Sequence, residues 1–228
     1  MDARKEHLLA TVVEEYTRSA APVGSKFLSA SKKFGVSPAT IRNELSELER
    51  LGYVTHPHTS AGRMPTEKGY QYYVENYVTQ EEPAKDAREF LKNVFAKEVR
   101  GHEKIKNIAK GLAEFSGNCV FVGFSKNNFF YTGFSTLFSQ PEFQNHGFVC
   151  SMSEVLDRMD ETVADIYDTV RDAVEIRLGE NSPFGNGCGT LLMKTPNNEL
   201  MGIVGPIRMD YQKNFSLLHY TRMLIHKK

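Results

Sequence analysis

The residues Ser37-Pro-Ala-Thr-Ile-Arg-Asn-Glu-Leu-Ser-Glu-Leu-Glu-Arg50 decide how the first third of this chain folds. Serine is a favoured N-cap residue and proline is favoured at the first helical position, so the stretch predicts a helix that starts at Pro38. We expect the helix to run to Gly52. Its predicted buried face consists of three apolar residues at helical spacing, namely Ile41, Leu45 and Leu48.

Two helices precede this one and a hairpin follows it. The spacing of apolar residues predicts a helix over Lys5–Ser19, and a short second helix begins near Ser25. Phe34-Gly-Val36 reads as the tight turn between the second and third helices, because glycine accepts the backbone angles that such a turn needs. Short strands at Tyr53–His56 and Arg63–Pro65 complete the pattern. Together these elements predict a winged helix-turn-helix, whose third helix enters the DNA major groove.

The side chains that this arrangement leaves free suit contact with DNA. Arginine can bond guanine and asparagine can bond adenine through two hydrogen bonds, while serine and threonine bond phosphates or bases. Small and basic residues at the hairpin tip can follow the backbone or enter the minor groove. Glu44 and Glu47 would repel phosphate, so that part of the helix either turns away from DNA or accepts from cytosine. The predicted DNA-binding residues are Ser25, Lys26, Lys33, Ser37, Ala39, Thr40, Arg42, Asn43, His58, Thr59, Ser60, Gly62 and Arg63.

The charge of the chain supports DNA binding only when it is examined by segment. Overall, 28 Lys and Arg residues balance 28 Asp and Glu residues. Between Arg18 and Lys68, however, eight bases accompany four acids, which gives this segment a net charge of +4. A compact basic surface on a neutral molecule is what attraction to phosphates requires.

Beyond residue 80 helices alternate with strands that look antiparallel, which predicts the α+β class for the whole chain. We expect a winged helix-turn-helix domain over residues 1–80, a linker helix over 81–102 and an effector and dimerisation domain over 103–228. The predicted elements of the last part are a strand at Cys119–Phe124, a second strand at Phe129–Gly133, a helix from about Glu154 to Leu178, strands near 189–194 and 201–204, and a final helix over Tyr211–Ile225.

Several classes of protein are excluded by what the chain lacks. No apolar run approaches the length of a bilayer span, and the first residues lead into no signal-type apolar stretch, so we expect a cytoplasmic protein with no membrane partner. The three cysteines are too far apart for a zinc or redox motif. The phosphate-binding glycine loops, nucleotide fingerprints and serine elbows of common enzymes are missing as well. We therefore predict no cofactor, no metal and no enzymatic activity.

Several motifs resemble those of the heat-inducible transcription repressor HrcA family. Over about seventy residues the similarity is dense, and it continues in order along the rest of the chain. The motifs are Glu14-Glu-Tyr16, Pro22-Val-Gly-Ser-Lys26, Val36–Leu45, Leu51-Gly-Tyr53, His58–Thr66, Gly133–Leu137, Gln140-Pro-Glu-Phe143, Leu178-Gly-Glu-Asn181 and Gly202–Tyr211.

The resemblance implies a homodimeric repressor that binds an inverted-repeat operator ahead of chaperone genes and that the chaperonin keeps active. It also implies a GAF-like effector domain into which a dimerising domain is inserted. This chain departs from that pattern, because only about eight residues separate the strand at Cys119–Phe124 from the motif at Gly133. Three candidates for the dimer surface remain open: the linker helix, the tyrosine face of the fourth helix and the leucines of the final helix.

Two other functions stay open. The effector domain could sense a small molecule in a pocket lined by four aromatic residues, or those residues could fill the core instead: Phe121, Phe124, Phe130 and Tyr131. A thiol enzyme is the more remote alternative, with Cys119 on an apolar strand, Cys188 in a loop and Cys150 near His146.

We also expect Arg208 to pair with Asp210 and so to fix the last helix.

Overall fold

The computed structural model describes residues 1–31, 34–58, 61–97 and 101–226. The chain divides into two compact units, Met1–Val78 and Thr79–Lys228. Both units combine helices with β-strands, so the protein belongs to the α+β class.

The first unit consists of helices and one short antiparallel hairpin. Ser37 begins the central helix as predicted, because its Oγ accepts a hydrogen bond from the Thr40 amide at 3.2 Å. The helix ends at Arg50, just before Gly52, whose φ of 80° does not continue a helix. The elements are α1 (Ala3–Ser19), α2 (Ser25–Ala30), α3 (Pro38–Arg50), β1 (Val54–Thr55), β2 (Met64–Pro65) and α4 (Glu67–Tyr77).

The core of this unit forms where α1 meets α3 and α4. Burying a leucine or valine side chain contributes about 1.5 to 3 kcal/mol, so the apolar face of α1 is a main source of its stability. Gly69 lets α4 approach closely, since a Cβ there would lie 2.2 Å from the carbonyl oxygen of Tyr53. The side chains in the core include Leu8, Leu9, Val12, Val13, Leu28, Ile41, Leu45, Leu48 and Tyr70.

The second unit is built on an antiparallel sheet with the strand order β4-β3-β7-β6-β5. Helices α6 and α10 contact one face of the sheet, while α7 and α9 contact strand β3 from the other. The elements are α5 (Lys85–Ala96), α6 (Gly101–Ser116), β3 (Cys119–Ser125), β4 (Asn128–Thr132), α7 (Phe134–Phe138), α8 (His146–Asp157), α9 (Met159–Ile166), β5 (Glu175–Leu178), β6 (Cys188–Lys194), β7 (Leu200–Pro206) and α10 (Tyr211–His226).

The prediction of one helix from Glu154 to Leu178 is wrong. Two helices, α8 and α9, meet at Arg158, and the end of the predicted helix is the edge strand β5. The stretch Glu175-Ile-Arg-Leu178 alternates polar and apolar residues, which suits a strand paired with β6. A short local pattern was therefore mistaken for the continuation of a helix.

For Arg208, expected to pair with Asp210, the structure shows a different carboxylate. The guanidinium of Arg208 pairs instead with Glu142, in the 3-10 turn Pro141–Gln144. Asp210 caps α10, because its carboxylate accepts a hydrogen bond from the Lys213 amide at 2.9 Å.

Candidate nucleic-acid interface

Helix α3 presents a polar face opposite its buried stripe. Ile41 and Leu48 are fully buried, and the side chains on the other side of the helix are exposed. Thr40 is half-buried, with its Oγ1 3.0 Å from Ser37 Oγ. The exposed set on this helix and its cap includes Ser37, Ala39, Arg42 and Asn43, all of which the sequence predicted as DNA-binding residues.

The two acids in the middle of α3 are engaged by the first helix. Glu44 is 6% exposed and pairs with Arg4. Glu47 pairs with Lys5 at 2.9 Å, and hydrogen bonds to Asp2 and Glu47 raise the pKa of that lysine. Both carboxylates thus have a basic partner within the unit, and Glu44 is covered as well. The first of the two options, that this part of the helix turns away from DNA, is the one that the contacts favour.

Arg63 does not extend freely from the hairpin. Its guanidinium lies 2.8 Å from the Glu49 carboxylate, and its side chain is 16% exposed. Glu49 also contacts the ring nitrogen Nδ1 of His56, so one carboxylate near the end of α3 contacts the residue after β1 and the residue before β2. Backbone hydrogen bonds join Arg63 to Val23 in both directions, at 2.8 and 2.9 Å. These contacts make Arg63 a residue that positions the hairpin.

Gly62 lies where two backbone segments touch. A Cβ at this position would be 2.5 Å from the carbonyl carbon of Val23 and 2.7 Å from that of Pro22. No side chain fits at such distances, so glycine allows the hairpin to pack directly on the segment that leads into α2.

A groove of about 420 Å³ brings several predicted residues together. Its walls come from the start of α2, from α3 and from the hairpin. Lys26 and Arg42 are exposed, and they add positive charge to a concave surface. Five of the predicted DNA-binding residues line this groove: Ser25, Lys26, Arg42, Gly62 and Arg63.

The remaining predicted residues are distributed as follows. His58 is exposed on the hairpin. Lys33, Thr59 and Ser60 lie outside the described residues. Sequence reasoning missed Arg4, Lys5 and Glu49, which carry no motif and act on partners far away in the chain or on another element.

In the second unit, the four aromatic residues proposed to line a pocket do not share one. Phe121 and Tyr131 face each other across β3 and β4, while Phe130 lies opposite Val122 and therefore on the other face of the sheet. Phe121 is buried in the core, and Tyr131 is 48% exposed. Of the two readings left open, a pocket shared by these four residues is wrong, because alternation along a strand separates them, and Phe121 fills the core instead.

The cysteines offer little for thiol chemistry. Burial raises the pKa of Cys119 and of Cys188 to about 12, so both remain protonated at neutral pH. Cys188 is the first residue of β6, not a loop residue as expected. Cys150 is exposed, with its Sγ 3.7 Å from His146 Nδ1. Across the described ranges, no three His, Cys, Asp or Glu side chains are grouped closely enough to hold a metal ion.

Among the helices that the structure describes, none has both the length and the apolar character needed to cross a bilayer.

A crystal structure of a hypothetical protein at 2.2 Å resolution superposes on the chain with a TM-score of 0.78. The match covers 100% of this chain and 98% of the other, at 16% sequence identity, and it shows a shared fold only.

Curated relatives carry the description heat-inducible transcription repressor HrcA. The one from Pelotomaculum thermopropionicum is 44% identical over 100 residues, which are 44% of this chain and 29% of the relative. The one from Desulforamulus reducens is 42% identical over 107 residues, which are 47% of this chain and 31% of the relative. The chain spans about a third of the length of the curated relatives it matches.

A family model described as the HrcA protein C-terminal domain matches residues 74–214, more than half of the chain. The chain therefore belongs to the HrcA family.

Proposed function

We propose that this protein is a sequence-specific DNA-binding repressor of heat-shock chaperone genes. The observation that carries the proposal is the arrangement of α3: Glu44 and Glu47 are engaged by α1, and the exposed face bears Arg42 and Asn43. A helix with this surface can enter the major groove without bringing free carboxylates towards phosphates. The name of the curated relatives supports the repressor role.

In this proposal the unit Met1–Val78 acts as a winged helix-turn-helix. Helices α2 and α3 form the reading motif, and the β1–β2 hairpin is the wing. Residues of α3 read base edges, while Lys26 and the exposed hairpin residue His58 contact the sugar-phosphate backbone. Arg63 acts indirectly, because its pairing with Glu49 fixes the position of the wing.

We further propose that the protein binds an inverted repeat as a homodimer. A single recognition helix reads few base pairs, and a two-fold dimer places two such helices one DNA turn apart. Of the three dimer surfaces considered, the final helix is disfavoured, because Leu217 and Leu218 are buried within the unit. Tyr73 and Tyr77 on α4 stack at 5.6 Å and are only half-buried, which favours the tyrosine face.

In this proposal the first unit reads DNA. The second unit has a GAF-like fold and carries the effector and dimerisation functions. The chaperonin remains a proposed partner of the second unit, and the protein is proposed to act in the cytoplasm. No catalytic step is part of the proposal, because two of the three thiols are buried and protonated.

The proposal is tested by selecting the preferred DNA site from random sequences. Duplexes with a randomised central region are incubated with the full chain, and bound molecules are amplified and sequenced over several rounds. We expect enrichment of an inverted repeat, with salt-sensitive binding of the selected duplex by a species of dimeric mass. Recovery of random sequence after all rounds would contradict the proposal.

A further inference from the structure

A groove of about 930 Å³ opens in the second unit between α8, α9 and the loop that leads into β6. Its volume is within the range of sites that bind small organic molecules. The floor is apolar and consists of well-buried side chains. They are Met152, Ile166, Phe184 and Cys188, which are 3%, 7%, 2% and 3% exposed.

The rim of this groove is acidic. Glu154 on α8 and Asp165 on α9 both line it, and both are exposed. Neither carboxylate forms an ion pair with any residue in the described ranges. Arg158 also lines the groove, but it pairs with Glu161 at 3.2 Å. A ligand in this groove therefore meets apolar walls and two carboxylates whose charge is not balanced by a protein cation.

The other groove described in the second unit has a different charge. A smaller groove of about 340 Å³ lies between α5 and α6 in the same unit. It has an apolar wall too, formed by Phe90 and Val94, but its charged lining is three lysines and one glutamate. The two grooves thus differ in the sign of charge that they favour, which allows one to serve as an internal comparison for the other.

We propose that the groove between α8 and α9 binds a small lipophilic cation, a molecule with an apolar body and one delocalised or primary positive charge. The apolar body displaces water from Met152, Ile166 and Phe184, a gain of about 25 cal/mol for each Å² removed from solvent. The positive charge lies at the rim, between Glu154 and Asp165. All of these residues belong to the second unit, so the site does not depend on how the first unit reads DNA.

The test uses two probes of the same shape and opposite charge, tetraphenylphosphonium and tetraphenylborate. Each is titrated into the full chain by isothermal titration calorimetry, without DNA. We expect saturable binding of the phosphonium that weakens as salt is raised. We expect a loss of about 3- to 30-fold in its affinity for the double variant Glu154→Gln, Asp165→Asn, since exposed charges each contribute a few-fold. Binding of the borate at the lysine-lined groove should not weaken in that variant.

Matched variants distinguish binding of the phosphonium in this groove from a general effect of protein charge on its affinity. Asp157→Asn removes a carboxylate from α8 that does not line the groove, and we expect unchanged phosphonium affinity. Ser151→Trp fills the groove from an exposed position and should abolish phosphonium binding, while the thermal unfolding midpoint reports that the variant is folded. No saturable phosphonium binding, or equal weakening by Asp157→Asn and the double variant, would overturn the proposal. DNA-site selection is measured in a separate experiment, so the proposed cation site and the proposed repressor function can each fail independently of the other.

Discussion

Arg208 and Glu142 form an ion pair that fastens the loop after β7 to the 3-10 turn before α8. The guanidinium donates to both carboxylate oxygens, with Nη2 3.0 Å from Oε2, and the two side chains are 12% and 20% exposed. In the same turn region, Gln140 donates from its Nε2 to the carbonyl oxygen of Gly117 at 2.6 Å. Two sequence motifs that are far apart in the chain therefore stabilise one corner of the second unit.

Substitution Arg208→Ala should destabilise this corner by about 1 to 3 kcal/mol, because it leaves a largely covered carboxylate without its charged partner. Urea unfolding followed by far-UV circular dichroism measures the change. The additional substitution Glu142→Gln should recover part of the loss. If the double variant were as unstable as the sum of the two single variants, the pair would contribute nothing specific.

Arg42→Ala and Asn43→Ala should each reduce the discrimination between the selected duplex and random DNA by about 1 to 3 kcal/mol, because each removes a side chain able to bond a base edge. Fluorescence anisotropy with both duplexes measures this difference. Arg50→Ala is the matched control, since Arg50 is exposed on the last turn of the same helix. It should weaken both duplexes to a similar extent. Equal losses on every duplex for all three variants would show that α3 does not read sequence.

Arg4→Ala should lower both stability and DNA affinity, although its partner Glu44 is not among the predicted DNA-binding residues. The substitution leaves the buried Glu44 carboxylate unpaired on α3, the helix proposed to read DNA. Restoring neutrality with Glu44→Gln in the same background should recover DNA affinity. The comparison requires anisotropy titrations at two salt concentrations, and an unchanged affinity in the single variant would mean that Arg4 does not shield the acid.

Gly62→Ala should destabilise the first unit by about 1 to 3 kcal/mol, because the new methyl group meets backbone atoms of Val23 that cannot move aside. Gly24→Ala provides the control: its φ is −86°, and no atom lies within 4 Å of an added Cβ. Thermal unfolding of the two variants should therefore differ clearly. Similar midpoints would mean that the hairpin does not pack on the Val23 segment.

One thiol should react with Ellman's reagent in the native protein at pH 8, and three should react in denaturant. Cys150 is exposed, whereas Cys119 and Cys188 are buried with pKa values raised to about 12. The unfolded chain ionises these two thiols near pH 9, and the folded chain does so only near pH 12. The stability that they contribute is thus complete below pH 9 and declines as the pH rises from 9 to 12. Three fast thiols in the native protein would contradict this assignment.

Local signals predicted much of the fold and the exposed face of α3. Ser37 and Pro38 determine where that helix starts, and the spacing of its apolar residues identifies the buried side. The partners of its acids could not be predicted, because Arg4 and Glu44 are 40 residues apart and no pattern links them. Strand β5 was missed for a related reason: four alternating residues are too few to outweigh the helical pattern that precedes them, and only pairing with β6 decides their conformation.

The two hydrogen bonds between Val23 and Arg63 close a loop of about forty residues, which must lose conformational entropy before they form. The contacts between α2 and α3 join segments that are close in the chain, so they do not require that closure. The strands of the hairpin have two residues each and depend on that distant closure. We therefore expect the hairpin to gain its final structure later than α2 and α3 during folding, and its amides to exchange with solvent before theirs when the native protein opens locally.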